Sequence, residues 1–257
     1  MAVGFLATKT RLTVFYTVTG GSNFHAETGL WAKTSADAQS WSEPHRVTAG
    51  FFIESPQRID GGRLLLSGEH VGDARGVKRM RLLYTDQPDG LGGWTESKIT
   101  PGNVKTFGYT EPNLLRRTDG RLVMLFRNYS GFLYGSFDRD SGTSWSNPVA
   151  TNFPDSTARF AIGRLPDGTG WIVNNPGPKR FDRSLLTIAL SRDGTVFDRA
   201  FIVRGEPTRM RYQGKSKLDG WQYPNALVHD GHLFVAYSIN KEDVGLTRIS
   251  LDELAEN

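Results

Sequence analysis

The stretch TEPNLLRRTDGRLVMLFRN, residues 110–128, sets Glu111 ahead of one apolar run and Arg127 behind the next, with Asp119-Gly120 between them. That spacing puts both side chains at the open end of a hairpin, away from its turn. An Arg there presents a rigid fork that pairs bidentately with a carboxylate, which the ammonium of Lys does not reproduce. Strand-end positions elsewhere add Asn128, Arg159, Arg183, Trp221, Tyr223 and Tyr237, and loop or strand-end positions add His25 and His70. A phenol has an unperturbed pKa near 10 and attacks only when a neighbouring carboxylate takes its proton. The chemistry open to this set is capture of an acidic ligand and nucleophilic or acid–base attack beside it. Plainer readings stay open. Arg127 could pair with Glu111 across the hairpin mouth, Tyr223 before Pro224 could be a packing residue, and His25 and His70 could be ordinary exposed positions.

These residues need a scaffold that brings distant strand ends together. Apolar residues alternate mostly with period two, which predicts strands. The chain repeats a unit of roughly fifty residues, the length of a propeller blade. Each unit opens with a hairpin: SPQRIDGGRLLLSGEH, EPNLLRRTDGRLVMLFRN, ARFAIGRLPDGTGWIVNNP and YPNALVHDGHLFVAYSIN, with a weaker FLATKTRLTVFYT at the start. The second half of the unit is a strand and a Ser/Asp-rich turn ending on an aromatic, as in LWAKTSADAQSWSEP, FLYGSFDRDSGTSWSNP and LTIALSRDGTVFDRAF. The expected fold is all-β, a single β-propeller domain over 1–257 with five countable four-stranded blades at about 1–50, 51–104, 105–154, 155–206 and 207–257. The last blade supplies only three strands. The pattern fits a compact five-bladed ring or a ring of six whose remaining blade is missing from the N-terminal side. In such a blade the start of the innermost strand and the end of its neighbour share one face of the ring, and the Asp-Gly turns share the other.

Composition narrows the function. The 257 residues include 29 Gly and 12 Pro, as many short strands with tight turns require. With no cysteine there is no disulfide, thiolate metal site or cysteine nucleophile. No His/Asp/Glu spacing suggests a metal site, and no cofactor is expected. The formal charge of +4 is mild, and the basic runs at 77–81 and 204–217 read as solvated loops without a nucleic-acid motif. No run is apolar and long enough to cross a bilayer, and the first residues carry no signal-peptide pattern. Nothing in the composition points to a nucleic acid or a membrane as partner, and the oligomeric state is not readable.

The Ser/Asp turns resemble the Asp-box, Ser-x-Asp-x-Gly-x-Thr-Trp, of the sialidase-type β-propellers. Asp140, Gly142 and Trp145 match it best, with Asp138 in the Ser position. Ser35/Asp37/Trp41 and Ser191/Asp193/Phe197 match one residue short. TEPNLLRRTDGRLVMLFRN is similar to the sialidase segment in which a Glu opens a strand and an Arg ends the next, and RSLLTIALSRDG and GWQYPNALVHDGHLFVAYS resemble two further segments. The resemblance implies Tyr223 as nucleophile, Glu111 as its polarising carboxylate, and Arg127 and Arg183 as two members of a carboxylate-binding cluster. It also implies an extracellular or periplasmic protein cleaving a glycosidic bond beside an acidic sugar, with an acidic oligosaccharide or polysaccharide as its partner. The family's Arg-Ile-Pro motif and Asp general acid have no counterpart; His25 and Glu27 stand in the loop where that Asp is expected. FPDSTARFAIGRLPDG and YPNALVHDGHLFVAYSINKEDV also resemble a group of sialidase-fold lyases and hydrolases acting on rhamnose–glucuronate linkages and ulvan. By that resemblance His25, His70 or Tyr223 would serve as acid or base and Arg127 or Arg183 would bind the uronate, while the strand-end positions Arg159, Asn128, Tyr237 and Trp221 would line the site on the same face. A glycan-binding propeller without catalysis is the third reading.

Overall fold

The computed structural model describes residues 2–22, 25–72, 80–99, 110–177, 179–214 and 216–255. Residues 77–79 of the first basic run and Lys215 of the second lie outside the described residues. The fold is all-β, a β-propeller of five consecutive antiparallel sheets. The first runs in the order β1 (Ala2–Ala7), β2 (Leu12–Val18), β3 (Gly29–Ser35), β4 (His45–Ala49). The second has β5 (Phe51–Phe52) and β6 (Gln57–Arg58) both pairing with β7 (Leu64–Glu69), followed by β8 (Met80–Thr85) and β9 (Thr95–Glu96). Its innermost strand is broken in two around Ser55-Pro56, where the proline has no N–H to give to the ladder. The third sheet is β10 (Asn113–Arg116), β11 (Leu122–Phe126), β12 (Phe132–Phe137) and β13 (Val149–Pro154). The fourth is β14 (Ala161–Arg164), β15 (Gly170–Asn174), β16 (Leu186–Ser191) and β17 (Arg199–Arg204). The fifth has three strands, β18 (Trp221–His229), β19 (His232–Ile239) and β20 (Asp243–Ser250), and leads into the short helix α1 (Leu251–Ala255).

The chain divides into two compact units, residues 1–113 with 135–149, and residues 114–134 with 150–257. In the first, Phe15, Leu30, Phe52, Leu64 and Leu66 are buried in one cluster that joins the first two sheets. In the second, Val173, Leu186, Ile188, Leu233 and Val235 do the same for the last two. Alternation along the strands produces these clusters: β19 reads buried at Leu233, Val235 and Tyr237 and half-exposed between them.

The turns form for local reasons. His229 pairs with His232 across Asp230-Gly231, and both turn residues have positive φ (46° and 69°), the geometry that suits the twist of a two-residue hairpin. In the Ser/Asp turns the acid caps the chain: Asp37 Oδ1 accepts from the N–H groups of Gln39 and Ser40, and Asp193 Oδ1 from those of Thr195 and Val196. Those bonds, led by the one from Ser40, draw the Asp37 carboxyl down to about 2. In the fullest copy Asp138 Oδ1 accepts from Gly142 N–H, and buried Trp145 donates to the Gly142 carbonyl. Gly142 has φ 83°, and a Cβ there would lie 2.3 Å from Leu65, so only glycine fits. These turns are scaffold.

Candidate functional site

The site is built in the second unit on the link between β13 and β14, Asp155-Ser156-Thr157. Four anchors hold this link. Asp155 N–H donates to the Gly131 carbonyl and Ser156 N–H to that of Asn175. Thr157 Oγ1 donates to the Asn128 carbonyl, and Ser156 Oγ to that of Asp182. Thr157 is thereby kept at φ 58°, a backbone region that a β-branched residue rarely enters without such support.

Two arginines converge on the link. Arg127, just past β11, donates from Nη1 to the Thr157 carbonyl at 3.4 Å. Arg183, just before β16, donates from Nη2 to the same carbonyl at 3.0 Å. Its Nη1 reaches Ser156 Oγ at 2.8 Å, the Asp182 carbonyl at 3.0 Å and the Ser156 carbonyl at 3.3 Å. Both guanidinium-bearing residues are only 8% exposed, which makes them buried cations. Backbone carbonyls orient both side chains ahead of any ligand.

A buried acid balances them. Asp155 is fully buried, with Ala158 N–H on Oδ2 at 3.2 Å and Asn174 Nδ2 on Oδ1 at 3.4 Å. Burial pushes its carboxyl up to about 6, while the Arg127 charge, the Ala158 and Asn174 bonds and the Arg183 charge pull the other way. The folded chain thus holds a proton that the unfolded chain has lost between about 3.8 and about 6. The stability this contributes is present below the lower value and is lost as pH rises through the upper one, on the order of 3 kcal/mol in full. Chemical denaturation of wild type and Asp155→Asn at about pH 5 and about pH 7.5 should show the fall only in the wild type. Parallel pH dependence in both would contradict the assignment.

The start of β18 is drawn to the same place. Trp221 N–H donates to the Arg183 carbonyl at 2.8 Å, and Asn175 Nδ2 bridges the carbonyls of Leu185 and Trp221. A Cβ on Gly220 would lie 1.9 Å from the Arg183 carbonyl oxygen, so glycine permits this approach. An extra residue between Gln222 and Asn225 then bulges the strand, with Tyr223 at φ 53° and 38% exposed. Lys241 Nζ sits 5.0 Å from the Tyr223 ring centroid, a cation–π contact. Arg159 Nη2 donates to Asn225 Oδ1 at 3.1 Å, two residues beyond Tyr223.

The remaining residues singled out in the sequence make contacts of their own or belong to the first unit. Asn128 spends its amide on its own turn, donating to the Phe132 carbonyl and accepting from Ser130 N–H. Trp221 and Tyr237 are buried in the core with their rings edge to face at 5.6 Å; Tyr237 Oη shares a hydrogen bond with Thr247 and Trp221 Nε1 donates to the Glu206 carbonyl. Glu111, His25 and His70 belong to the first unit. There buried Glu69 accepts from Thr110 Oγ1 at 2.8 Å and from Glu111 N–H at 3.4 Å, shaping the approach to β10, with Glu111 at φ 37°. His70 Nε2 meets Glu96 Oε1 at 2.9 Å, and His25 Nδ1 accepts from Glu27 N–H at 3.3 Å. Among the described residues no three His, Asp or Glu side chains are grouped to hold a metal. Asp155 and Ser156 went unnoticed in the sequence, although an acid followed by two hydroxyl residues between apolar runs is the pattern of a self-capping link.

A family model described as BNR repeat-like domain matches residues 1–235. Among curated proteins no match is found. Among solved structures, the chain is similar to the intramolecular trans-sialidase from Ruminococcus gnavus in complex with oseltamivir carboxylate, with TM-score 0.68, 16% identity, and 90% of this chain and 52% of that one covered. It is similar to Trypanosoma rangeli sialidase in complex with sialic acid, with TM-score 0.67, 15% identity, and 99% and 45% covered. A protein of unknown function from Dyadobacter fermentans aligns with TM-score 0.62, 13% identity, and 98% and 79% covered. The chain spans about half the length of the two sialidases. At these identities the likeness is one of fold.

Proposed function

The chain belongs to the BNR repeat-like domain family, and on that footing we propose that it captures the carboxylate of an acidic sugar at Arg127 and Arg183 and hydrolyses the adjoining glycosidic bond. The observation that carries this reading is the convergence of two buried guanidiniums, from strand ends far apart in sequence, on the carbonyl of Thr157. A sugar carboxylate is the planar anion that such forks recognise. Tyr223, at the bulge of β18, and Arg159, just before β14 and donating to Asn225 Oδ1 of β18, are the further members of this reading. A neutral Tyr suits attack at a carbon that bears a carboxylate, since a carboxylate nucleophile would be repelled there. In this reading the phenol's proton passes to the carboxylate that the resemblance assigns, Glu111, as the bond from Tyr223 to the sugar forms and the bond to the leaving sugar breaks; water then releases the acidic sugar. The trans-sialidase and the sialidase whose fold this chain shares are described in complex with oseltamivir carboxylate and with sialic acid, which supports this reading.

The test is incubation of the protein with sialyllactose and with a glucuronate-containing polysaccharide. Hydrolysis releases reducing sugar without the ultraviolet absorbance of an unsaturated uronate. A rise in that absorbance would instead assign lyase chemistry to the same clamp. Binding without cleavage would leave a glycan-binding propeller, and failure to bind either material would overturn the clamp itself.

A further inference from the structure

The turn between β19 and β20 grips the loop at 205–220 through three consecutive side chains. Asn240 Oδ1 accepts from the Thr208 hydroxyl at 2.7 Å and from Gly220 N–H at 2.8 Å. Glu242 accepts from the backbone N–H groups of Arg211 and Tyr212 and from Lys217 Nζ. Between them, Lys241 Nζ donates to the Ser216 carbonyl at 2.6 Å and lies 5.0 Å from the centroid of the Tyr223 ring. We propose that Lys241 is the positioning residue of Tyr223, its ammonium fixing the phenol ring from one face before a sugar arrives. The proposal rests on the reading of Tyr223 above and names what aims its side chain.

Backbone geometry sets Lys241 apart from an ordinary surface lysine. Asn240 and Lys241 have φ 56° and 57°, and Glu242 N–H closes the turn on the Ile239 carbonyl. Gly and Asn enter that region at little cost, whereas Lys does so against steric strain. Glycine would therefore make the better turn, and what lysine adds is its side chain. The ammonium is itself held in place. Ser216, whose carbonyl it meets, lies between the loop positions that Asn240 and Glu242 pin, Thr208, Arg211 and Tyr212 on one side and Lys217 and Gly220 on the other.

Tyr223 needs such a partner. It projects from the bulge of β18 and is more than a third exposed, so packing holds only part of the ring. A phenol oxygen that must meet one carbon atom loses rate steeply when misplaced, and a side chain free to change rotamer is misplaced much of the time. A cation on the ring face favours one rotamer without occupying the oxygen at the rim. Arg211 provides the contrast. Its guanidinium pairs with Asp243 at 2.7 Å and with Glu242 at 3.4 Å, which fastens the same loop, and its ring contact is with Tyr212.

Tyrosine-selective isotope labelling and NMR follow the ring directly, the Tyr223 signal being the one that Tyr223→Phe removes. Lys241→Met should move that signal toward the position of free tyrosine. On whichever material is cleaved, it should lower kcat about tenfold and leave KM within about twofold. Lys241→Gly relieves the turn, so it should melt no lower than the wild type and yet show the same shift and the same loss. Lys241→Arg keeps a cation and a donor and should restore both readouts. Arg211→Gln, which loosens the loop alone, should leave both near the wild type. A Tyr223 signal that stays in place in Lys241→Met and Lys241→Gly would overturn the proposal. So would wild-type turnover in Lys241→Gly, or an equal shift in Arg211→Gln. If the wild type cleaves neither material, the hydrolytic reading falls, and the ring signal alone decides whether Lys241 places the phenol.

Discussion

Arg183→Lys lowers the affinity for an acidic monosaccharide on the order of 100-fold while the protein melts close to the wild type. The substitution keeps the positive charge beside Asp155 and loses the planar fork. Arg183 divides its guanidinium between the Thr157 carbonyl on one nitrogen and the Ser156 and Asp182 oxygens on the other, and this fixes the plane in which an anion is met. An ammonium on a flexible stem cannot reproduce that plane. Arg183→Ala is the harsher change, because it strips the link carbonyls and Asp155 of an opposite charge in a buried setting, at a cost of about 3–5 kcal/mol in binding or stability. The Lys variant therefore separates recognition from folding. Arg127→Lys should behave alike, since it shares the Thr157 carbonyl. Calorimetric affinity beside a melting curve is the check, and unchanged affinity in both Lys variants would remove the clamp.

Tyr223→Phe should lower turnover on the order of 10⁴-fold and leave ligand affinity within a few-fold. The change deletes one oxygen from a half-exposed ring and leaves the ring itself, the Lys241 contact and the bulge in place. A structural role would show as a lower melting temperature with a proportionate loss of binding. A chemical role shows as a loss of kcat at constant affinity. Because the bulge puts Tyr223 at positive φ, Tyr223→Ala tests something else, the conformation of β18, and serves as the structural control. Turnover unaffected by Tyr223→Phe would take the phenol out of the chemistry.

Much of the scaffold was legible in the sequence. The Asp-Gly pairs marked the hairpins because Asp and Gly are the residues that accept the positive φ their turns need, and Asp230-Gly231 adopts it at both positions. The Ser/Asp turns were legible because their bonds are local, spanning two to four residues. Arg127 and Arg183 stood out as cations at strand ends. What brings them together was not visible: the shared carbonyl belongs to Thr157, whose twisted backbone depends on anchors from three segments. Asp155 gave no signal of burial, because only the folded packing removes it from water. Trp221, Tyr223 and Tyr237 all read as strand-end aromatics. The bulge at Gln222–Asn225 sorts the two on β18, turning Tyr223 outward while Trp221 stays in the core. The Tyr237 ring lies over Gly245 of the neighbouring strand, where a Cβ would be 2.3 Å away, a pairing that no single strand reveals. The break in the innermost strand of the second sheet has a covalent reason, the missing N–H of Pro56.

The most direct measurement is a crystal structure of the protein soaked with N-acetylneuraminic acid or glucuronic acid. The account predicts the sugar carboxylate within about 3 Å of guanidinium nitrogens of both Arg127 and Arg183, with the ring extending toward Tyr223. A sugar bound with its carboxylate on other residues, while these two guanidiniums stay on the Thr157 carbonyl without touching it, would contradict the account.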